Sequence, residues 1–354
     1  FDGSIIAPNA MQNLVWHSQR IPEGSTFRTV DKSNLLECSD RWCRPVYAGV
    51  GPDGGVYIAD WYDTRLSHVS PTDDWHKESG RVYRIVPEGA RASYTDGDLH
   101  ELSGEELIKR FDHPNKWVRR RAMLELGWRG DQSVVDDLAM RVDQGSLESL
   151  WALNLMGELT SQRAGNWLAN DDPHIRRWVV RLLGDRHENH PRLPGLAASE
   201  NDVQVRSQLA STAKRLSSND AIPIIAALVG RNEDAEDPHM PLMNWWALEA
   251  HADAWTQIES MLTAPTIWQL PMFDQHIAGR LMQRYAAAGT QDDLQRCARL
   301  LELAPSDESR GRLMVGLNRA FQGQAVPPLP ESLAAALDHF QSKIGDSGLI
   351  IGLR

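Results

Sequence analysis

A run of carboxylate, imidazole and guanidinium side chains follows one short strand-like stretch. Asp60, Asp63, Arg65, His68, Asp73 and Asp74 lie in one loop system after "VYIADW", with His76 just beyond. Loop carboxylates are the hard oxygen donors that Ca²⁺ gathers, about six to eight at a time. Their spacing matches no EF-hand loop. Asp60 and His68 are also candidates for a general base at the rim of a site. Arg65 is a candidate partner for an anionic cofactor. The competing reading is a solvated loop whose aspartates cap turns.

Strands have to hold that loop. In "GPDGGVYIADWYD", Pro52 presets the second turn position and Gly54 accepts the positive φ of a tight turn. "RPVYAGV" and "VYIADW" read as partner strands. The second alternates Val56, Ile58 and Asp60 on one face with Tyr57, Ala59 and Trp61 on the other. "GSIIAPN", "NLVWHSQRI" and "GRVYRIVP" are further candidates, bounded by Gly, Pro and Asn. Arg81 and Arg84 in the last of these read as an exposed or salt-bridged edge. The strands make about one to two antiparallel units, each the size of a β-propeller blade. Such a sheet leaves edges unpaired and a face uncovered, so further blades are expected before Phe1.

From about residue 100 the apolar period becomes helical. "LSGEELIKRF" opens with a capping box, Ser103 and Glu106. One theme then recurs in "DHPNKWVRRRAMLELG", "DDPHIRRWVVRLLGD", "ENDVQVRSQLASTAKRL" and, after an insertion, "EDPHMPLMNWWALEAHAD". "GSLESLWALNLMGEL" fits between the first two with a weaker start. An acidic residue precedes each helix, and Asp112, Asp172, Asp202 and Asp237 are the expected caps. Aligning Ala122, Ala152, Val179 and Leu209 gives a repeat of about 30 residues. A repeat of that length built of helix pairs predicts an α-solenoid of HEAT type, with about six to eight pairs. Trp117, Trp128, Trp151 and Trp178 read as packing between repeats. Of the adjacent Trp245 and Trp246, only one can face the core. The His at the Asp-Pro turns (His113, His174 and His239) suggest capping, not metal ligation.

The predicted architecture is therefore mixed: residues 1–90 as the C-terminal part of a β-propeller, and 91–354 as HEAT-like repeats. Both ends look cut, which suggests a piece of a longer chain. The net charge is −11, which argues against nucleic-acid binding. The basic run Val118–Ala122 reads as a solvated helix face. No apolar run reaches the length of a transmembrane helix. No CxxCH haem motif or CxxC zinc site occurs. Cys38 and Cys43 are close enough in sequence to pair in an oxidising compartment, or to remain two free thiols.

"RPVYAGVGPDGGVYIADWYDTRLSHV", "GRVYRI" and "HPNKWVRRRAMLELG" together resemble the planctomycete and verrucomicrobial "membrane-bound dehydrogenase" proteins. In that family a propeller similar to the quinoprotein glucose/sorbosone dehydrogenases precedes HEAT-like repeats, often with a cytochrome c domain after them. The family usually has Phe before "RPV", where this chain has Cys43. The resemblance implies an exported, periplasmic or extracellular bacterial protein that oxidises a sugar or alcohol and passes electrons to haem. PQQ, Ca²⁺ and haem c would belong to the parent protein. The partners it implies are the other blades and domains of that parent, and a protein on the concave face of the repeats. The family's catalytic base and cofactor-binding arginines fall in earlier blades, so no catalytic residue carries over to this chain.

Overall fold

The computed structural model describes residues 3–64, 76, 78–89, 94 and 96–344. The chain runs sheet first, helices after, as the patterning predicts. It divides into two compact units, residues 1–160 and 161–354.

The first unit opens with two small antiparallel sheets. One contains β1 (Ser4–Asn9), β2 (Leu14–Glu23), β3 (Thr26–Asp31) and the short β4 (Leu36–Glu37). Both β3 and β4 pair with β2 on the edge opposite β1. The other contains β5 (Pro45–Val50), β6 (Val56–Asp60) and β7 (Arg81–Ile85), in that order. A bulge at Val46 shifts the β5–β6 register and leaves Val46 and Tyr47 both exposed. The apolar face of β6 is the expected one: Val56 and Ile58 join Val15 in a small core closed by Ile6, Leu36, Ala48, Tyr83 and Ile85.

The "GPDGG" turn is tied three ways. Gly54 sits at φ 77, where a side chain is strained. Asp53 accepts hydrogen bonds from the Gly55 N–H at 3.0 Å, the Tyr57 hydroxyl at 3.0 Å and Arg84 Nε at 2.7 Å. Asn115 Nδ2 donates to the carbonyls of Gly51 at 3.1 Å and Pro52 at 2.8 Å.

Four helices complete this unit: α1 (Gly104–Lys109), α2 (Lys116–Arg129), α3 (Val135–Asp143) and α4 (Leu147–Leu155). Both halves of the Ser103–Glu106 capping box form at α1. Asn115, not Asp112, caps α2, its carboxamide oxygen accepting from the Trp117 N–H at 2.9 Å. The reason is local: Arg110–Asp112 forms a 3-10 turn, so α2 starts later than the Asp-x-Pro pattern suggests. Asp112 instead pairs with Arg141 at 3.1 Å.

The second unit holds α5 (Ser161–Trp167), α6 (Pro173–Asp185), α7 (Leu193–Ser199), α8 (Val203–Ala213), α9 (Ser218–Val229), α10 (Met240–Glu249), α11 (Trp255–Leu262), α12 (Ala278–Ala288), α13 (Gln291–Leu303), α14 (Asp307–Phe321) and α15 (Glu331–Ile344). Alternate helices pack on one another: α6 on α8, α8 on α10, α10 on α12 and α12 on α14. On the other side α7 packs on α9, α9 on α11, and α13 on α15. The four residues aligned in sequence, Ala122, Ala152, Val179 and Leu209, are all fully buried. A Cβ on Gly316 of α14 would collide with the Gly279 carbonyl of α12, so glycine allows that crossing.

An arginine four residues after the cap does the same work in three repeats. Arg119 Nη1 donates to the carbonyls of His113 at 2.8 Å and Pro114 at 3.1 Å, and its Nε to Glu148 at 3.1 Å. Arg176 takes the carbonyls of Asn170 at 2.7 Å and Asp171 at 3.0 Å, and forks onto Glu200. Arg206 takes those of Glu200 at 3.0 Å and Asn201 at 2.9 Å, and forks onto Asp234. Each guanidinium satisfies loop carbonyls that no helix can reach, and is neutralised by an acid of the following repeat. Asp172 and Asp202 cap α6 and α8 in the predicted way. Asp237 likewise accepts from the N–H groups of His239 and Met240. The arginine ladder ends there, because Pro241 stands at the arginine position.

Candidate functional site

The acidic stretch after β6 can be judged at Asp60 and Asp63, because Arg65, His68, Asp73 and Asp74 lie outside the described residues. Asp60 is 4 % exposed and faces donors from its own chain. Its Oδ1 accepts from the Arg44 N–H at 2.6 Å and the Tyr62 N–H at 3.0 Å, and its Oδ2 from the Tyr83 hydroxyl at 3.2 Å. Asp63 is equally buried and accepts from Trp61 Nε1 at 3.3 Å and the Thr64 hydroxyl at 3.4 Å. Its N–H donates to the Trp42 carbonyl at 2.9 Å, and the Trp61 N–H donates to that of Arg44 at 2.8 Å. The two aspartates thus staple residues 42–44 to 60–64 at the end of the strand pair. Both carboxylates are thus engaged by N–H and O–H donors of their own chain. Among the described residues no group of three His, Cys, Asp or Glu side chains could hold a metal.

Tyr62 has φ 48, a left-handed backbone rare outside glycine. That turn brings the Tyr62 ring within 5.9 Å of Trp42 and 6.3 Å of His76, with Trp42 and His76 4.7 Å apart. The Arg81 guanidinium lies 4.1 Å over the Tyr62 ring and 3.7 Å from Asp40. Arg81 is thus the salt-bridged strand edge expected of it, and its hydrogen bonds to Tyr83 and Tyr62 hold it firmly protonated. The Trp42 N–H bond to Asp40 keeps that carboxylate below the usual range. The result is a cluster of rings that meet edge-on or tilted, with the Arg81 guanidinium over one of them. Trp42, Asp40, Arg81 and Tyr83 were not among the predicted site residues. The signal available was the repeated pairing of Asp and Trp in "SDRWC" and "IADW".

Cys38 and Cys43 are both free thiols. Burial, and then the neighbouring Cys38 thiol, push Cys43 up to about 12. Asn13 fastens this loop, donating to the carbonyls of Arg41 at 3.2 Å and Cys43 at 2.5 Å.

A second feature was read in sequence only as a solvated face. Between β5 and α2 runs a groove of about 470 Å³ lined by Tyr47, Val50, Lys116, Trp117, Arg120 and Arg121, among others. In the other unit, Arg177, Trp178 and Arg181 of α6 line a groove of about 330 Å³ with residues of α8 and Met243. Arg120 and Arg177 each follow the ladder arginine by one residue, Arg121 and Trp178 by two. Trp128 is not packing between repeats as expected. It is 61 % exposed, with the Arg121 guanidinium 5.0 Å from its ring centroid. Of the tryptophan pair, Trp245 is buried and Trp246 exposed.

By fold, then, this is a protein of two small antiparallel sheets followed by stacked helices, its polar residues spent largely on holding loops. Residues 1–89 match the model of a domain of unknown function, DUF7133. No curated protein and no solved structure matches the chain.

Proposed function

We propose that this chain is the scaffold and interaction portion of an exported bacterial protein of the dehydrogenase-like family it resembles, and that it turns over no substrate itself. The observation that carries this reading is the engagement of Asp60 and Asp63 by N–H and O–H donors of their own chain. A carboxylate so held is poorly placed to take a proton from a substrate. The alternate stacking of helices and the arginine ladder support an α-solenoid of HEAT type. The small sheets, with a core cluster of three buried apolar side chains among the described residues, support blades that lean on other blades of a β-propeller. On this reading PQQ, Ca²⁺ and haem c serve the parent protein in other domains, and the chain works in the periplasm or outside the cell.

A second reading is a non-enzymatic helical-repeat module that binds a protein partner. The cationic groove between β5 and α2 favours it. Both readings forbid turnover by the purified chain. Dye reduction is measured with a panel of sugars and alcohols, with and without PQQ and Ca²⁺. No substrate-dependent rate is expected, and steady sugar-dependent reduction would refute both.

A further inference from the structure

We infer that the groove between β5 and α2 docks an acidic peptide segment of a protein partner, one that also carries apolar side chains. The inference rests on the scaffold reading and names the chemistry of what the scaffold holds.

Charge is the first argument. Lys116, Arg120 and Arg121 line one side of the groove, and no acidic residue lines it. None of the three has a carboxylate partner among the described residues. The contrast with Arg119, one residue away, is sharp, since it is paired with Glu148 and two carbonyls. The chain has 48 acidic residues against 37 Lys and Arg, so carboxylates are not scarce. Three neighbouring cations without a carboxylate partner among the described residues make a local positive field that an anionic group relieves. The Arg121 guanidinium lies over Trp128, 5.0 Å from the ring centroid, a contact that leaves a guanidinium able to donate to a carboxylate as well.

Shape and apolar surface are the second. The bulge in β5 turns Tyr47 outward, 64 % exposed, beside Val50. Leu124 and Trp117 lie across from them, and Trp117 is held edge-on by Tyr94 at 5.8 Å. Branched aliphatic side chains such as Val50 and Leu124 suit an apolar side chain better than the flat face of a sugar. A net charge of −11 opposes a long polyanion such as nucleic acid, while a short acidic segment meets only the local field. In the other unit a groove also combines cations with an aromatic ring, Arg177 standing at the position of Arg120, and Arg177 is also without a carboxylate partner among the described residues.

The test uses the whole chain and fluorescence anisotropy. The probe is a fluorescein-labelled peptide alternating glutamate and leucine. Comparison probes are its glutamine–leucine counterpart, a single-stranded oligonucleotide and a polyuronate. Saturable binding of the acidic peptide is expected, weakening as salt rises, with no binding of the glutamine peptide. Arg120→Glu with Arg121→Glu should weaken binding about tenfold or more while the thermal melt stays put. Tyr47→Ser, at an exposed position, should weaken it without touching charge, and stands in if the double variant fails to fold. No binding of the acidic peptide, equal binding by the variants, or tighter binding of the oligonucleotide or polyuronate would overturn the site. Such a failure with dye reduction still absent leaves the scaffold reading standing. Sugar-dependent dye reduction overturns that reading whatever the peptide does.

Discussion

The sheets and the helices of this chain solve the same problem by different means. In the sheets, few apolar side chains are fully buried, and order depends on polar staples: Asp53 in the turn, Asp60 and Asp63 at the strand ends, Asn13 at the thiol loop. In the helices of each unit, apolar burial is extensive, and the charges taken into the interior are paired, although Asn244 is buried with its amide unpaired among the described residues. Arg206 and Asp234 are the limiting case, at 4 % and 1 % exposed, with every loop carbonyl in reach satisfied. A region without a large core depends on individual hydrogen bonds. A region with one tolerates buried charge only where the charge is fully matched.

The largest expected effect breaks that match. Arg206→Ala strands the buried Asp234 carboxylate and takes a donor from the Asn201 carbonyl, while the Glu200 carbonyl keeps Arg231, and should cost about 3–5 kcal/mol in urea unfolding. The double variant with Asp234→Ala should recover part of the loss. Gly316→Ala tests the apolar side, since its methyl group must push α12 and α14 apart. A loss of about 1–3 kcal/mol is expected by thermal melting.

Asn115→Ala probes the sheet region. Loss of the α2 cap should cost about 0.5–2 kcal/mol. Hydrogen exchange should quicken at Gly54 and Gly55 as well as in the first turn of α2, while the second unit is unchanged. A change confined to the helix would refute the link to the turn.

The smallest effect is in pH. Burial pushes the Glu200 carboxyl up, but the Arg176 fork and the backbone N–H groups of Asp202 and Asn201 outweigh it and hold it below its usual value of 4.5. A depressed carboxylate adds stability above its unfolded pKa and loses it as pH falls through the folded one. Stability should therefore drop below about pH 4.5. Glu200→Gln should flatten that drop when melts are followed against pH.

What was legible in sequence was local. The capping box at Ser103, the caps at Asp172 and Asp202 and the β5–β6 hairpin all rest on residues within about four positions of one another. β3 escaped notice because its side chains, in "TFRTVD", are mostly exposed on both faces and show no apolar alternation. The ladder arginines recur four residues after each cap, but their acidic partners lie 24 to 29 residues on, beyond any helical period. Asp60 stands out in sequence but its surroundings do not, since Arg44 reaches it from just before β5 and Tyr83 from β7. The cationic groove was illegible for the same reason: "VRRRA" gives no hint that a bulged strand lies opposite.

Asn115 serves two masters. The same carboxamide starts a helix with its oxygen and holds a strand turn with its nitrogen. The turn and the helix start are therefore bound together through one side chain. A change that lengthens the "GPDGG" turn removes a partner from the helix, and one that replaces the amide frees the turn. In descendants of this chain, the stretch around residue 52 and the one around residue 115 should vary as a pair or not at all.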